Sequence, residues 1–190
     1  MFKSLFILML GDVPLMIAGE KVRLAPLEEK HLDDLMKEWN NPKLRKFLGG
    51  FIPHSREAEL QWIQATMEDM KKRRSFVFAI ERDADGVFIG TIALHDIDWV
   101  SRNCTLGIAI HGEDNWGRGY GSEAIAVLIN FGWNHLNLRR IELSVHDFNE
   151  RAKHVYEKLG FVEFGIAHRK FFIDGNYVDT HYMELFRDYE

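Results

Sequence analysis

Two periods of hydrophobic spacing divide the chain. From Lys21 to Leu27 polar and apolar side chains alternate, the period of a half-buried strand, and Pro26 closes the run. Leu32, Leu35, Met36 and Trp39 then fall three and four apart, which predicts a helix from His31 to Trp39. A second helix is predicted from Ser55, whose hydroxyl suits an N-cap, through Leu60, Ile63, Met67 and Met70. It ends in Lys71, Lys72, Arg73 and Arg74, where cations oppose the helix dipole and read as a solvated helix end.

Beyond residue 75 the period shortens to two. Phe76–Ile80, Val87–His95 and Cys104–Ile110 read as strands, with Asp85-Gly86 marking a hairpin and 98–103 the next turn. Strands this closely spaced favour an antiparallel meander. A glycine-rich loop at 117–121 leads into a helix predicted from Ser122 to Leu136, with Ile125, Leu128, Ile129, Gly132 and Leu136 on one face. Arg140–Val145 is a further strand. Asn149 then caps a helix that carries Ala152, Val155, Tyr156 and Leu159 on its apolar side and stops at Gly160. A last hairpin, Phe161–Phe172 and Tyr177–Phe186, turns at Asp174-Gly175-Asn176. The order predicts a mixed α+β fold around one central sheet.

Composition narrows the function without choosing it. The 190 residues carry no repeat, low-complexity tract or linker, which fits one domain. Twenty-four basic against 29 acidic side chains leave a net charge of −5, which argues against a nucleic-acid binder. No apolar run approaches the roughly 20 residues of a membrane span. One cysteine, Cys104, forbids an intramolecular disulfide and reads as a buried small hydrophobe, consistent with a reducing, cytoplasmic compartment. Lys3 before Leu5–Leu10 resembles the opening of a signal peptide, but the run is short and Gly11-Asp12 ends it. Residues 1–15 are therefore expected to be an N-terminal extension, with Met16 as an alternative start, and residues 16–190 the domain.

The stretch Trp116-Gly-Arg-Gly-Tyr-Gly-Ser-Glu-Ala124 carries the chemistry. Glycines let backbone N–H groups approach a ligand closely, and at a helix start those groups and the dipole suit a diphosphate. Arg118 adds a positive charge. A P-loop would need Gly-Lys-Ser/Thr, which is missing. The dinucleotide fingerprint needs G-x-G-x-x-G, and position 122 is serine.

Four ordered matches give the loop a context. Trp116-Gly-Arg-Gly119-Tyr-Gly121 resembles the Q/R-x-x-G-x-G/A loop of the GCN5-related N-acetyltransferase (GNAT) superfamily, with Trp116 where Gln or Arg is usual. That replacement is similar to the branch of RimJ/RimL protein N-terminal acetyltransferases and spermidine acetyltransferases. Asn149-Glu-Arg-Ala152-Lys-His-Val-Tyr156-Glu-Lys-Leu-Gly160-Phe161 resembles N-x-x-A-x-x-x-Y-x-K-x-G-F. Phe171–Tyr177 with Met183 resembles the branch's terminal hairpin, and Leu106–Ile110 precedes the loop as its strand does.

The resemblance implies the GNAT fold: a mixed sheet with a splayed parallel pair, here 104–111 and 140–146, flanked by about four helices. It implies acetyl-CoA as co-substrate. The diphosphate would rest on Trp116, Gly117, Arg118, Gly119, Tyr120, Gly121 and Ser122, and the pantetheine and acetyl carbonyl on backbone groups of Ile108, Ala109 and Ile110, aided by a strand bulge. Asn149 would touch the pantetheine arm, and Tyr156 would protonate the departing thiolate, although its place on an apolar helix face equally fits a core residue. The expected acceptor is a primary amine, a protein N-terminal α-amine or else a polyamine, with no nucleic acid, membrane or metal involved. A homodimer is plausible from the branch and from the aromatic terminal hairpin. For the base, His95, Asp96, Asp98 and His181 are candidates; His31, His54 and His135 read as surface or helix-packing residues. Glu28, Glu29, Asp33, Asp34 and Glu38 fit either a polyamine-attracting patch or a solvated helix face. The rival class is a non-catalytic acyl-CoA-binding module.

Overall fold

A computed structural model of the chain describes residues 17–49 and 52–187. The expected extension, residues 1–15, lies outside the described residues. One eight-stranded sheet organises the rest: β1 (Ile17–Ala18), β2 (Val22–Pro26), β3 (Phe76–Arg82), β4 (Phe88–Asp98), β5 (Asn103–Ile110), β6 (Arg140–His146), β7 (Val162–Ile173) and β8 (Asn176–Phe186). Their spatial order is β1-β2-β3-β4-β5-β6-β8-β7. Every neighbouring pair is antiparallel except β5–β6, which is parallel and pairs only at Asn103–Arg140, Cys104–Ile141 and Thr105–Glu142. Beyond those three rungs the two strands part, so the splayed pair expected from the resemblance is present.

Alternation along the strands builds two cores. On one face Leu24, Phe78, Ile92, Leu106, Ile141, Leu143 and Val145 pack under α4 (Tyr120–His135) and α5 (Glu150–Lys158). On the other, Leu27, Val77, Ala79 and Phe88 meet Leu32 and Leu35 of α1 (Leu32–Trp39) and Ile63 of α3 (Arg56–Lys71). A short α2 (Pro42–Arg45) lies between α1 and α3, opened by Asn41 whose side chain accepts from the Lys43 N–H at 3.0 Å. Four helices of eight residues or more thus flank the sheet, as expected, and α2 is an addition. Four residues are too few to show a helical period, which is why it escapes the pattern.

One boundary moves in a way that matters, and one expected irregularity is missing. The helix expected from Ser122 begins at Tyr120, with Gly119 as N-cap at φ 87°. Tyr120, Gly121 and Ser122 are therefore its first turn, and the glycine loop shortens to 117–119. The bulge expected at 108–110 is not there: β4–β5 register runs unbroken from Gly90/Ile110 to His95/Thr105 and breaks only between His95 and Asp98. Of the histidines, His31 is buried. Its Nδ1 accepts from the Glu28 N–H at 3.0 Å, and its Nε2 lies 3.2 Å from Glu81. His54 pairs with buried Glu59 at 2.5 Å.

Candidate active site

The splay opens a cleft of about 560 Å³ between the β5 and β6 ends, roofed by α4 and α5. Its backbone chemistry follows from strand alternation. The His111 N–H donates to the Ile89 carbonyl at 2.8 Å. With that rung fixed, an antiparallel ladder turns the N–H and C=O of Gly107 and Ala109 toward β4 and those of Leu106, Ile108 and Ile110 away from it; Leu106 serves the last β6 rung at Thr105–Glu142, and Ile108 and Ile110 open into the splay. The Ala109 carbonyl accordingly lies against Gly90 (φ 152°), where a Cβ would run into its oxygen. Of the three expected backbone contributors, Ile108 and Ile110 turn their amides and carbonyls to the splay, while Ala109 lines the cleft with its N–H and C=O turned to β4. No bulge is needed, because loss of the β6 partner already frees these groups.

At the mouth, the Trp116 indole N–H donates to the Ile110 carbonyl at 2.8 Å. The same ring carries the Arg151 guanidinium 4.5 Å above its face and meets Phe47 edge-on. Gly117 and Gly119 hold left-handed φ values of 74° and 87°, which side chains resist. A Cβ on Gly117 would meet nothing within 4 Å, so its open side faces space a ligand can use. The first intrahelical bond of α4 runs from the Glu123 N–H to the Gly119 carbonyl, which leaves the N–H groups of Tyr120, Gly121 and Ser122 before it. Ser122 Oγ donates back to the Gly119 carbonyl at 3.2 Å. Arg118 is exposed and does not line the cleft, so its charge acts from the rim.

Two residues that pattern reading missed fix this loop. Lys21 reaches it from just before β2, its Nζ donating to the Arg118 carbonyl at 3.3 Å. Glu123 turns away from the loop and accepts the N–H groups of Lys21 at 2.6 Å and Val22 at 3.2 Å. A Cβ on Gly19 would collide with that carboxylate. These contacts span about a hundred residues of sequence, and nothing local signals them. Arg151 was legible only as the x of a motif.

Across the cleft stand α5 and the acceptor wall. Asn149 lines the cleft and caps α5, its Oδ1 accepting from the Ala152 N–H at 3.3 Å. Tyr156 packs in the core, its ring edge-on to Phe161, and it also borders the cleft. Burial pushes its phenol up to about 12, so it holds its proton throughout the neutral range. On the opposite sheet face Leu44, Phe47, Leu48, His95, His146 and Phe171 form the second wall. His146, which the sequence did not single out, stacks on Phe148 and meets Phe171 edge-on; burial lowers its affinity for a proton. Of the four base candidates only His95 lines the cleft. Asp96 bonds to it, Asp98 binds its own turn at Val100 and Ser101, and His181 is held by Glu163 at 2.7 Å. No group of three or more His, Cys, Asp and Glu that could hold a metal ion occurs among the described residues, and no described helix is long and apolar enough to cross a membrane.

A splayed parallel pair above a glycine-capped helix can hold an extended arm and an anionic group, and comparison with known proteins decides the lineage. The acetyltransferase (GNAT) domain model matches residues 21–162. The chain belongs to the GNAT acetyltransferase family. Spermidine N(1)-acetyltransferase of Escherichia coli K12 is 31% identical over 173 residues, covering 90% of this chain and 89% of that protein. A crystal structure of the Vibrio cholerae spermidine N-acetyltransferase with CoA and spermine superposes with TM-score 0.79 at 25% identity, covering 88% of this chain and 96% of the other. RimL, a ribosomal L7/L12 α-N-protein acetyltransferase solved with coenzyme A, reaches TM-score 0.81 at 15% identity, over 92% of this chain and 99% of its own, a likeness of fold. This GNAT protein is an N-acetyltransferase, and acetyl-CoA is its co-substrate.

Proposed function

We propose that this GNAT enzyme moves the acetyl group of acetyl-CoA onto a protein N-terminal α-amine by direct attack in a ternary complex. One observation carries the choice of acceptor: among the described residues lining the cleft there is no aspartate or glutamate. A polyamine brings several ammonium groups, and each must leave water. Without a carboxylate partner that desolvation costs several kcal/mol per charge. An N-terminal α-amine brings one, followed by a polypeptide whose amides and side chains suit an aromatic wall. The acidic residues that fit a polyamine-attracting patch are occupied locally: Asp33 by Arg56 at 2.6 Å, Asp34 by Lys37 at 2.5 Å, Glu28 by Lys30 at 2.8 Å and Glu29 by Gln64 at 2.7 Å. Glu38 accepts from Asn41 at 2.8 Å. The polyamine reading stands second, on the names of the spermidine-acetylating relatives.

In this reading the diphosphate rests on the N–H groups of 117–122, with Lys21 and Arg151 supplying charge, and Asn149 borders the pantetheine arm. The Ile108 N–H faces the acetyl oxygen and stabilises the charge that develops there. Tyr156, neutral and desolvated, gives its proton to the departing thiolate. Family membership and the cleft position of Tyr156 both weigh against a non-catalytic acyl-CoA-binding module. The terminal hairpin leaves Phe164, Ile166, Phe172 and Tyr177 exposed, which supports a homodimer through that face; a monomeric mass in solution excludes it.

The test is CoA thiol release from acetyl-CoA with N-terminal peptides, spermidine and spermine. Peptides are expected to give the higher kcat/KM. A tenfold preference for spermidine would transfer the assignment to polyamines, and stabilisation by acetyl-CoA without turnover of any amine would point to the binding module.

A further inference from the structure

We propose that His95, oriented by Asp96, is the base that takes the proton from the acceptor ammonium. The inference rests on the acetyl-transfer reading above and adds to it the group that reading leaves unassigned. Its starting point is the one break in the β4–β5 ladder, between His95 and Asp98. Bulges next to active sites re-aim side chains. Here Asp96 takes a left-handed φ of 51°, sparsely populated by residues with a Cβ, and its Oδ2 comes to 2.8 Å from the Nδ1 of His95. A carboxylate only accepts, so Nδ1 carries the ring proton and Nε2 presents a lone pair.

That lone pair has a clear route. Nε2 sits over Gly107 of β5, 3.4 Å from where a Cβ would stand. With no side chain at 107, nothing on that residue stands between the imidazole and the cleft that both line. Tyr156 approaches from the α5 face and His95 from the other, so acid and base stand on opposite faces of the sheet, as attack and departure require. His146 is the rival on the same face. Its Nδ1 lies 3.3 Å from the Thr180 hydroxyl, which can donate or accept and therefore fixes no tautomer. Asp96 is the charged group bonded to His95; Thr105 and Gly107 opposite it do not titrate; His146 and Arg151 face the cleft from β6 and α5.

The protons balance. The ammonium gives one to Nε2, which passes it to solvent. The free amine forms the N–C bond, the C–S bond breaks, and the sulfur takes the Tyr156 proton. The second nitrogen proton, lost as the amide forms, returns through water to Tyr156. One proton is released per turnover.

Two measurements test the pair. In the pH profile of kcat/KM, with two peptides whose amine pKa values differ, the wild type should show an acid limb that does not follow the peptide. His95→Gln should lower kcat 100-fold or more, abolish that limb and leave the KM for acetyl-CoA unchanged. Asp96→Asn should lower kcat less, and Asp96→Glu should restore part of it. Nitrogen-15 imidazole spectra of the whole protein, read without any acceptor, should show His95 as the Nδ1–H tautomer in the wild type and mixed in Asp96→Asn. His95→Gln within threefold of wild type, loss of the limb in His146→Gln instead, or an Nε2–H tautomer in the wild type would each overturn the proposal. If no amine is turned over at all, the acetyl-transfer reading fails instead, and the spectra still decide the orientation of the pair.

Discussion

Tyr156→Phe removes one oxygen from a site where everything else is fixed by packing. The ring is 7% exposed and lies edge-on to Phe161 at 5.9 Å, contacts that phenylalanine keeps. No described group bonds the hydroxyl, so stability should change by less than about 1 kcal/mol. Acetyl-CoA affinity should not move, since the loop and the β5 backbone are untouched. Turnover is another matter. General-acid catalysis contributes about 10²–10⁴-fold, and water can reach a cleft open enough to replace part of that. A loss of 10- to 100-fold is expected, about 1.4–2.7 kcal/mol on the barrier. Because burial holds the phenol near 12, the wild-type kcat should show no alkaline fall from this group below about pH 11. Calorimetry of acetyl-CoA binding, thermal unfolding and single-turnover thiol release on the same preparation separate these effects. Unchanged turnover with unchanged binding would leave Tyr156 a core residue and remove it from the chemistry.

Further outcomes follow from the loop and the core. Burial pushes His111 down to about 4, against an ordinary 6.5, so the folded state binds its proton less well than the unfolded chain does. Its contribution is complete above pH 6.5 and is lost as pH falls toward 4, a difference on the order of 3 kcal/mol. Replacing His111 with Phe should therefore flatten the fall of Tm over that window relative to wild type, and an equally steep fall would refute the burial argument. Glu123→Ala leaves the backbone N–H groups of Lys21 and Val22 without their carboxylate, which should cost about 1–3 kcal/mol in urea unfolding. It should also weaken acetyl-CoA binding through the undocked loop, and normal affinity would show the loop to be self-supporting. Gly119→Ala should cost about 1–2 kcal/mol for its left-handed backbone and displace Lys21 Nζ, which lies 3.1 Å from the new Cβ position, with a rise in KM for acetyl-CoA as the readout.

Period and punctuation were enough to place most of the architecture. The strands from Phe76 to Ile110, the helix capped by Asn149 and the closing hairpin follow from spacing that a sheet or helix must obey, and the structure has them within a few residues. The motif residues Trp116 to Ser122, Arg118 apart, line one cleft with Tyr156 because one strand–loop–helix unit carries the first set and one helix face the second. What spacing could not show is what folding brings from afar. Lys21 before β2 and Glu123 in the first turn of α4 meet across about a hundred residues, Phe47 arrives from a segment too short for a period, and His146 looks like any residue at a strand end. His95 was visible as a candidate, but its orientation depends on a left-handed Asp96, which no hydrophobic pattern encodes. The expected bulge at 108–110 failed for an instructive reason: an unpaired strand edge already supplies the free amides that a bulge would have created.

The three rungs between β5 and β6 make the sheet two blocks stitched at one end. A pantetheine arm lying in the gap would act as a detachable seam, pairing with Ile108 and Ile110 where no strand does. Loading the co-substrate at a hundred times its dissociation constant should then add about 2.7 kcal/mol to unfolding. Slowed amide exchange should appear on both sides of the seam together, in β5 and in β6, because the stitch is shared.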